Sequence, residues 1–460
     1  MDGRRVPERP GPGAARAVAA AAGALGVSAT RAIVVSIDGL AAFYFRDPAA
    51  RMPGLRALAE RGVVAARMET VFPSTTWPTH VSLVTGVAPD RHGVVGNSVL
   101  NRGTGAREDL TGDPVYDAPD LLRAPTIYDV AHAAGFRTAA IDWPATRKAR
   151  GLDFNLPFFK DQRVFETQTA GAVWAELAAL GYPLDRQGEW AELPKRFLKD
   201  AMVAELAAHV WRRHEPRLML LHFLCVDSLQ HLHGPRSPEA YWAIDYVDGL
   251  LGKLLAALPA GELTERTALF VVSDHGFLPV ERDVRINARL RQLGLLRVDG
   301  AGRIAGGEAR FVMNHGAGYL YCTGAGDRAR LARDVAAALA GLEGVAHVWT
   351  EPEYAGLGLP TSAENPKVGD LLLEAQPGFC FADEAQGEEI VCAPRYRGSH
   401  GHLPTHADNG AFFLAAGRGI ATGARLASIR SRDVAPTLAR VLGVALAPTD
   451  GRALEEILTA

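Results

Sequence analysis

Aspartate and histidine residues stand in four separate segments of this chain, and their types suit the binding of metal ions. The segments are AIVVSID, DSLQH, SDHG and GSHGH, and the residues are Asp38, Asp227, His231, Asp274, His275 and His400. Carboxylate oxygens and imidazole nitrogens, with no cysteine or methionine among them, are typical ligands of borderline-hard divalent cations. The sequence therefore predicts a site that holds two such ions.

Each segment also has a simpler explanation when it is taken alone. Asp38 precedes a glycine, and Asp-Gly is a common turn dipeptide. Asp227 and His231 are four residues apart, so they can pair on one face of a helix. His400 lies among other histidines in a glycine-rich loop. The conjunction favours a shared site, because independent turns give no reason for this order of residues.

The segment FPSTTWPTHVSLVTG crowds hydroxyl side chains at the predicted start of a short helix. Pro78 suits the first turn of that helix, so Thr76 is expected at or just before its N-cap. A phosphate there would meet free backbone N–H groups, and a metal ion would lower the pKa of the hydroxyl. Thr76 is therefore the candidate nucleophile. Thr75 and Ser74 are rivals by position, and capping without chemistry is the alternative.

The segments that position these residues are predicted to be strands of an α/β protein. The segments AIVVSID, TAAIDWP, LMLLHFLCVD, ALFVVSDHG and GAFFLAAG are continuous apolar runs. Continuous rather than alternating runs predict strands that are buried on both faces, in a mainly parallel sheet covered by helices. Ligands of such sheets bind beyond the carboxyl ends of the strands. Four of the metal candidates, Asp38, Asp227, Asp274 and His275, follow such runs.

Helical patterns separate the predicted strands. PGLRALAERG predicts a helix from Pro53 that stops at Gly62, a second helix begins with Ser237 as N-cap, and RDVAPTLARVLGV supplies a final helix. GYLYCT, DRARLARDVAAALAGL and VAHVWT predict a small βαβ-like unit. The predicted organisation is a catalytic core of residues 31–280 and 395–460, an inserted α+β cap of residues 281–394, and a leader or helix at residues 1–30.

Composition excludes several classes of protein. The chain has 460 residues, 48% hydrophobic and 22% charged, with a formal charge of −3, which predicts a soluble globular protein that does not track a nucleic-acid duplex or an anionic membrane. The four cysteines lack CxxC spacing, and no apolar run is long enough for a transmembrane helix. A cytoplasmic location is expected, with a periplasmic or secreted one if residues 1–29 form a signal peptide.

The segments SIDGL, FPSTTWPTHVSLVTGVAPDRHGVVGN, DSLQHLHGP, VVSDHGF and GSHG together resemble the alkaline phosphatase superfamily. Within it, the chain is most similar to the nucleotide pyrophosphatase/phosphodiesterase family, over about residues 31–280 and 395–445. The resemblance implies a three-layer α/β/α core and two zinc ions. It also implies that Thr76 is the nucleophile, that Trp77 is the neighbouring aromatic residue, and that Asn97 contacts a phosphoryl oxygen.

The resemblance further implies how the ligands are divided. One zinc site falls on Asp227, His231 and His400, and the other falls on Asp38, Asp274 and His275, with Thr76 directed toward the latter. The chain departs from the motif pattern of this family at two places. Thr79 replaces an asparagine that is common in the nucleophile motif, and His402 or His406 competes with His400, which alone keeps the Gly-x-His-Gly context.

The resemblance implies a phosphohydrolase that cleaves phosphodiester or pyrophosphate bonds of a small substrate through a covalent phosphothreonyl intermediate. The neutral Asn97 and the aromatic Trp77 favour a diester, with Trp77 either stacking on a nucleobase or forming a wall. Arg147 and Lys148 are alternatives that would clamp a monoester. His92 and His315 are candidates to approach the substrate, but a turn histidine that satisfies its own loop is the preferred interpretation of both.

Other reactions fit the same motifs. A phosphonate hydrolase such as phosphonoacetate hydrolase and a phosphomonoesterase share the nucleophile and both metal sites, and a mutase or headgroup transferase is compatible with the fold. A sulfatase is disfavoured because the expected Cys or Ser followed by x-Pro-x-Arg is absent.

Overall fold

The computed structural model describes residues 30–110, 116–169 and 171–459. The prediction for residues 1–29 lies outside this part of the chain. Within it, no helix is long and apolar enough to cross a membrane. The four cysteines are free, and three of them are buried, in agreement with the absence of a CxxC motif.

A central sheet of eight strands forms the middle layer of the protein. In spatial order its strands are Ala424–Leu426, Gly62–Ala65, Phe413–Gly417, Thr267–Val272, Arg31–Ile37, Leu218–Phe223, Thr138–Ile141 and Phe154–Leu156. Only Phe413–Gly417 runs antiparallel to its two neighbours, and the other recorded pairings within this sheet are parallel. The mainly parallel sheet that the apolar runs predict is therefore confirmed.

Helices cover both faces of the central sheet, as alternate residues of its first strand show. Ile33 and Val35 pack in one core with helices that include Pro53–Glu60, Gly171–Ala179, Arg196–His214 and Pro238–Ala256. Ala32 and Val34 pack in a second core with Thr76–Thr85, Ile127–Ala133 and Val434–Leu442. The strand is buried along its whole length. Two apolar cores on opposite faces give the three-layer α/β/α arrangement.

Two details of the predicted elements are wrong. The first helix ends at Glu60, and Gly62 opens a strand. A Cβ atom at Gly62 would lie 2.3 Å from the carbonyl oxygen of Ala415, so close approach to the neighbouring strand requires this glycine. The strand Leu218–Phe223 stops early, because a helix, Cys225–His233, begins two residues later. Asp227 therefore lies in the first turn of a helix and does not close a strand.

The chain between the core strands Thr267–Val272 and Phe413–Gly417 includes a second sheet, which is antiparallel and four-stranded. Its strands, in spatial order, are Ala309–Asn314, Ala317–Cys322, Leu371–Ala375 and Val345–Thr350. The predicted βαβ-like unit is present with Arg328–Leu339 as its helix, but Leu371–Ala375 lies between its two strands. This sheet has its own apolar core. We propose that it marks an inserted unit, although the boundary expected at residue 281 falls inside the strand Leu278–Arg285.

The inserted region remains tied to the edge of the core that carries the site. Leu278–Arg285 pairs in parallel with Gly378–Ala382 and antiparallel with Val391–Cys392 and Gly398–Ser399. The remaining short strands pair as Met68–Glu69 with Ile429–Arg430, Ser98–Leu100 with Arg107–Asp109, and Leu296–Val298 with Ile304–Gly307. The chain thus returns from the insertion directly at His400.

Candidate active site

Asp38, Asp274 and His275 meet at the carboxyl edge of the central sheet. Asp38 follows the strand Arg31–Ile37, and Asp274 follows the adjacent parallel strand Thr267–Val272. The Nε2 atom of His275 lies 3.4 Å from Asp38 Oδ1 and 3.3 Å from Asp274 Oδ2. All three side chains are buried. The structure therefore brings this predicted set together.

The turn after Asp38 is built to place its side chain. Gly39 has a φ of +68°, a left-handed conformation that glycine adopts without steric cost. Its backbone N–H donates to Asp274 Oδ1 over 3.0 Å. A Cβ atom at Gly39 would lie 3.1 Å from the Phe277 ring and 3.2 Å from the Cα of Asp227. This turn locks two of the candidate ligands to one another.

Asp227, His231 and His400 lie beside the first set. Asp227 Oδ1 is 3.2 Å from His231 Nε2 and 3.8 Å from His400 Nε2. The potential ligand atoms form two overlapping groups, in each of which they lie within 4.8 Å of one another: Asp227 with His275 and His400, and His231 with His315 and His400. His400 thus links the two groups.

The rivals of His400 are engaged elsewhere. His406 Nε2 lies 3.0 Å from Glu374 Oε1, and Glu374 also accepts from the backbone N–H of Leu403. His402 is fully buried next to Gly316, where a Cβ atom would lie 2.2 Å from its ring. The structure places His400 alone of these three histidines among the clustered carboxylates.

Each predicted histidine ligand is oriented by a backbone carbonyl group. The Nδ1 atoms lie 2.9–3.0 Å from carbonyl oxygens, in the pairs His231 with Gly398, His275 with Gly276 and His400 with Ser74. A carbonyl oxygen only accepts, so each Nδ1 carries a proton and each Nε2 is the nitrogen that is left to bind a metal ion. Metal-ligating histidines are held in this way by their second nitrogen.

Each buried carboxylate has one oxygen without a hydrogen-bond partner among the described residues, although Arg196 Nη1 lies 3.7 Å from Asp227 Oδ2. Asp38 Oδ1, Asp227 Oδ1, Asp274 Oδ2 and His275 Nε2 are buried without a hydrogen-bond partner there. Burial, together with the charges of Asp274 and Asp227, raises the pKa of Asp38 well above 3.8. Burial is the largest single effect on Asp227 and acts to raise its pKa, but His231, His275 and Arg196 together lower the pKa below its usual range. Bound cations would supply the missing compensation.

Thr76 is the first residue of the helix Thr76–Thr85, with Thr75 as N-cap, one position later than expected. Of the three hydroxyl candidates, all within the described residues, Thr76 alone lines the pocket that contains Asp38, Asp227 and His400. Ser74 Oγ donates to the carbonyl oxygen of Val71 over 3.1 Å, and Thr75 is fully buried. The geometry favours Thr76 over both rivals.

Two histidines that the sequence analysis did not single out support the site. His80 Nδ1 donates to the carbonyl oxygen of Thr76 over 2.8 Å, and His80 Nε2 accepts from Ser36 Oγ over 2.9 Å. His222 Nε2 lies 3.1 Å from Asp38 Oδ2. Burial lowers the pKa of both imidazoles to about 3, so both are neutral. In the sequence both resemble ordinary residues of an apolar strand or helix.

Asn97 and Trp77 both line the pocket, as predicted. Asn97 Oδ1 accepts from the backbone N–H of Trp77 over 2.9 Å, which leaves its amide N–H₂ group as a donor. Asn314 Oδ1 in turn accepts from the backbone N–H groups of Asn97 and Ser98. Trp77 is only 3% exposed and packs edge-on against Phe158. Trp77 is therefore a pocket wall and not an exposed platform.

The pocket has a volume of about 180 Å³ and includes cationic residues that the sequence analysis missed: Arg107, Lys160 and Arg196. The alternative prediction, that Arg147 and Lys148 clamp a monoester, is wrong. Both residues pair with Asp117, at 2.7 and 3.0 Å, and neither lines the pocket. The cations instead come from distant segments of the chain.

His92 and His315, which the sequence analysis also considered, lie in different surroundings. His92 is buried away from the pocket, where its Nε2 donates to Ser82 Oγ and its Nδ1 accepts from the backbone N–H of Val94. This matches the expected turn histidine. His315 lines the pocket and stacks on His231, with ring centroids 4.9 Å apart. The interpretation of His315 as a mere turn residue is therefore wrong.

Comparison with known proteins identifies relatives over about half of the chain. An uncharacterised pyrophosphatase/phosphodiesterase of Schizosaccharomyces pombe is 29% identical over 254 residues, which cover 54% of this chain and 44% of the relative. Ectonucleotide pyrophosphatase/phosphodiesterase family member 1 of Homo sapiens is 26% identical over 247 residues, which cover 53% of this chain and 23% of the relative. The chain thus matches less than half of the length of these relatives.

Solved structures share the fold over nearly the whole chain. Murine ectonucleotide pyrophosphatase/phosphodiesterase 5 superposes with a TM-score of 0.69 at 20% identity, covering 94% of this chain and all of that one. Its inactive threonine-to-alanine variant in complex with AMP gives a TM-score of 0.70. The model of the family described as type I phosphodiesterase / nucleotide pyrophosphatase matches residues 32–403. Because this match spans most of the chain, the protein belongs to the type I phosphodiesterase / nucleotide pyrophosphatase family.

Proposed function

We propose that this protein is a two-metal phosphohydrolase that cleaves a phosphodiester or pyrophosphate bond with Thr76 as its nucleophile. The observation that carries the proposal is the cluster of three buried carboxylates, Asp38, Asp227 and Asp274, in and beside the pocket that Thr76 lines. Each carboxylate has an oxygen without a partner among the described residues. Burying like charges this close together is unfavourable unless cations are bound between them.

The proposed ligands divide into two sets. Asp38, Asp274 and His275 form one set, and Asp227, His231 and His400 form the other. Carboxylates and imidazoles fit zinc and similar divalent ions. Such ions lower the pKa of a hydroxyl group and neutralise charge that builds up on phosphoryl oxygens.

The chain's own residues would then carry two displacements at phosphorus. Thr76 Oγ1 forms a bond to phosphorus while the bond to the leaving oxygen breaks; the hydroxyl proton of Thr76 passes to solvent, and solvent protonates the leaving oxygen. Water then attacks the phosphothreonine, which restores the hydroxyl group and releases the phosphorylated product. His80 holds the first helical turn through the Thr76 carbonyl oxygen, and the Asn97 amide donates to a non-bridging oxygen as its charge grows.

The names of relatives support this reaction class. They include pyrophosphatase/phosphodiesterases and venom phosphodiesterase 2 of Crotalus adamanteus. The structural neighbour that binds AMP was inactivated by replacing a threonine. The words ectonucleotide and venom in these names give no support to the expected cytoplasmic location.

A second candidate is a hydrolase of phosphonates or monoesters that carry an additional anionic group. The observation that favours it is the cationic lining of the pocket by Arg107, Lys160 and Arg196. Two of the aromatic rings at the wall are nearly covered, since Trp77 is 3% and Phe158 is 6% exposed, whereas Tyr396, which also lines the pocket, is half-buried. Lys199 Nζ also sits 3.9 Å from the centroid of the Phe158 ring. Trp77 and Phe158 would therefore offer a nucleobase little surface on which to stack.

The reaction is tested by hydrolysis of an aryl phosphodiester by Thr76→Ala and Asp274→Ala, with Thr75→Ala as the matched control. We expect the first two to lose at least about a thousandfold in kcat, because each removes a reacting or ion-holding group. Thr75→Ala should keep most of the activity, since its hydroxyl is buried behind the pocket. Activity near wild type in Thr76→Ala would refute the proposal.

A substrate panel separates the two candidates. It consists of a nucleotide diester, an aryl monoester and phosphonoacetate, assayed with wild type and with Arg196→Met. The first candidate predicts the highest kcat/KM for the diester and, because Arg196 Nη1 lies 3.7 Å from Asp227 Oδ2, a similar effect of Arg196→Met on all three substrates. The second predicts a preference for phosphonoacetate or the monoester that Arg196→Met removes.

A further inference from the structure

His315 reaches the candidate metal site from the inserted region. It follows the strand Ala309–Asn314, and its ring lies 4.9 Å from that of His231, stacked at 24°, and 4.3 Å from that of His400. One nitrogen from each of these three rings lies within 4.8 Å of the others. His315 Nδ1 is buried without a hydrogen-bond partner among the described residues. An imidazole nitrogen is thus available at the site.

The backbone at His315 is held in an unfavourable conformation. Its φ is +64°, a region that residues with a Cβ atom rarely adopt because of steric strain. The turn is nevertheless fixed on both sides, because Gly316 N–H donates to the carbonyl oxygen of His400 over 2.7 Å and His315 accepts from the N–H of Phe381 over 3.0 Å. Strain of this kind persists where the surrounding structure imposes it, often at functional sites.

We propose that His315 is a further metal ligand, which binds the same ion as His231 and His400. This inference rests on the two-metal site proposed above. The ion would then have one carboxylate, from Asp227, and three imidazoles from separate segments of the chain. A nitrogen-rich set of this kind selects zinc, cobalt and similar ions over magnesium and calcium, which prefer oxygen ligands.

A ligand from the inserted region also couples that region to the metal. Without the ion, the turn at His315 is tied to the core by the backbone hydrogen bond from Gly316 to His400 and, through its neighbour Asn314, by side-chain hydrogen bonds to Asn97 and Ser98. With the ion, the imidazole of His315 joins residues of the core helix Cys225–His233 to the inserted sheet. Metal loading should therefore protect the strand Ala309–Asn314 from hydrogen exchange.

The test is cobalt titration of the metal-free full chain, followed by visible absorption and competition with a chelator. The variants are His315→Asn, His315→Ala, the proposed ligand change His231→Ala, and His132→Ala as an exposed control. We expect His315→Asn and His315→Ala to weaken the binding of one of the two cobalt ions by at least about tenfold and to change the absorption spectrum of that ion. His132→Ala should match wild type.

His315→Asn adds a readout that a purely structural role would not give. Asparagine tolerates a positive φ better than histidine does, so metal-free His315→Asn should be at least as stable as wild type while it binds cobalt more weakly. If both His315 variants bind two cobalt ions with wild-type affinity and spectra, the inference is wrong. If His231→Ala also leaves both ions bound, the proposed division of the ligands is wrong, and if wild type binds fewer than two cobalt ions, the two-metal proposal itself fails.

Discussion

Removing one negative charge from the candidate site should stabilise the metal-free protein. The ligand atoms of Asp38 and Asp274 lie within 4.8 Å of one another, and two unit charges at that distance repel by about 3.5 kcal/mol at an effective dielectric constant of about 20. Asp38 escapes part of this repulsion by taking up a proton, as its raised pKa indicates. We therefore expect Asp274→Asn to raise the free energy of unfolding of the metal-free protein by about 1–3 kcal/mol at pH 8.

The substitution is nearly isosteric and preserves the local hydrogen bond. The Gly39 N–H that donates to Asp274 Oδ1 can donate equally to an asparagine oxygen. The assay is urea unfolding in the presence of a chelator and again with zinc. Zinc at about 1,000 times its dissociation constant would stabilise wild type by about 4 kcal/mol per site. Asp274→Asn should lose most of the contribution of one site.

Asp433→Asn is the matched control, because the same chemical change there should have the opposite sign. Asp433 is equally buried, but it accepts hydrogen bonds from the backbone N–H groups of Arg430 and Arg452 and pairs with the Arg430 side chain at 3.2 Å. Replacing this carboxylate by an amide should lower the free energy of unfolding by about 1–2 kcal/mol. If metal-free Asp274→Asn is destabilised as much as Asp433→Asn, the carboxylate cluster is not a site of uncompensated repulsion and the reasoning is refuted.

Two further predictions concern positioning and acid stability. Asn314→Ala should lower kcat about tenfold without loss of bound metal, because Asn314 Oδ1 fixes the backbone of Asn97 and Ser98; unchanged steady-state kinetics would contradict this. Burial lowers the pKa of His92 to about 3, below about 6.5 in an unfolded chain, so the unfolded state binds more protons and stability should fall from about pH 6.5 toward pH 3 by roughly 4 kcal/mol. His92→Gln should flatten this acid dependence in urea titrations, and an unchanged slope would exclude the assignment.

The part of the site that could be predicted from the sequence is the part that local patterns dictate. Asp38 and Asp274 follow apolar runs that are too continuous for surface strands, and adjacent parallel strands must deliver their ends to one edge of the sheet. The position of Thr76 at the start of a helix could be predicted because Pro78 is suited to a first helical turn. The α/β class followed from the same runs.

The remaining features depend on contacts between distant segments. His222 looks like any residue of a buried strand until the fold sets it 3.1 Å from Asp38. The cationic lining comes from a strand (Arg107), a loop (Lys160) and the start of a helix (Arg196). Arg147 and Lys148 pair with Asp117 instead.

Turn residues carried the least information in the sequence. His315 stands in a glycine-containing turn, where an unremarkable histidine is common, and only the return of the chain from the inserted sheet brings it against His231. Gly62 reads as a helix stop because glycine often follows a helix. Its actual cause is the carbonyl oxygen of a neighbouring strand, which no local pattern reveals.

Anomalous diffraction at the zinc absorption edge, from crystals of the full chain grown with zinc, tests the central claim most directly. We predict two peaks beside Thr76, one among Asp38, Asp274 and His275 and one between Asp227 and His400. No peak at either place, or metal bound only at sites away from the carboxylates, would contradict the account.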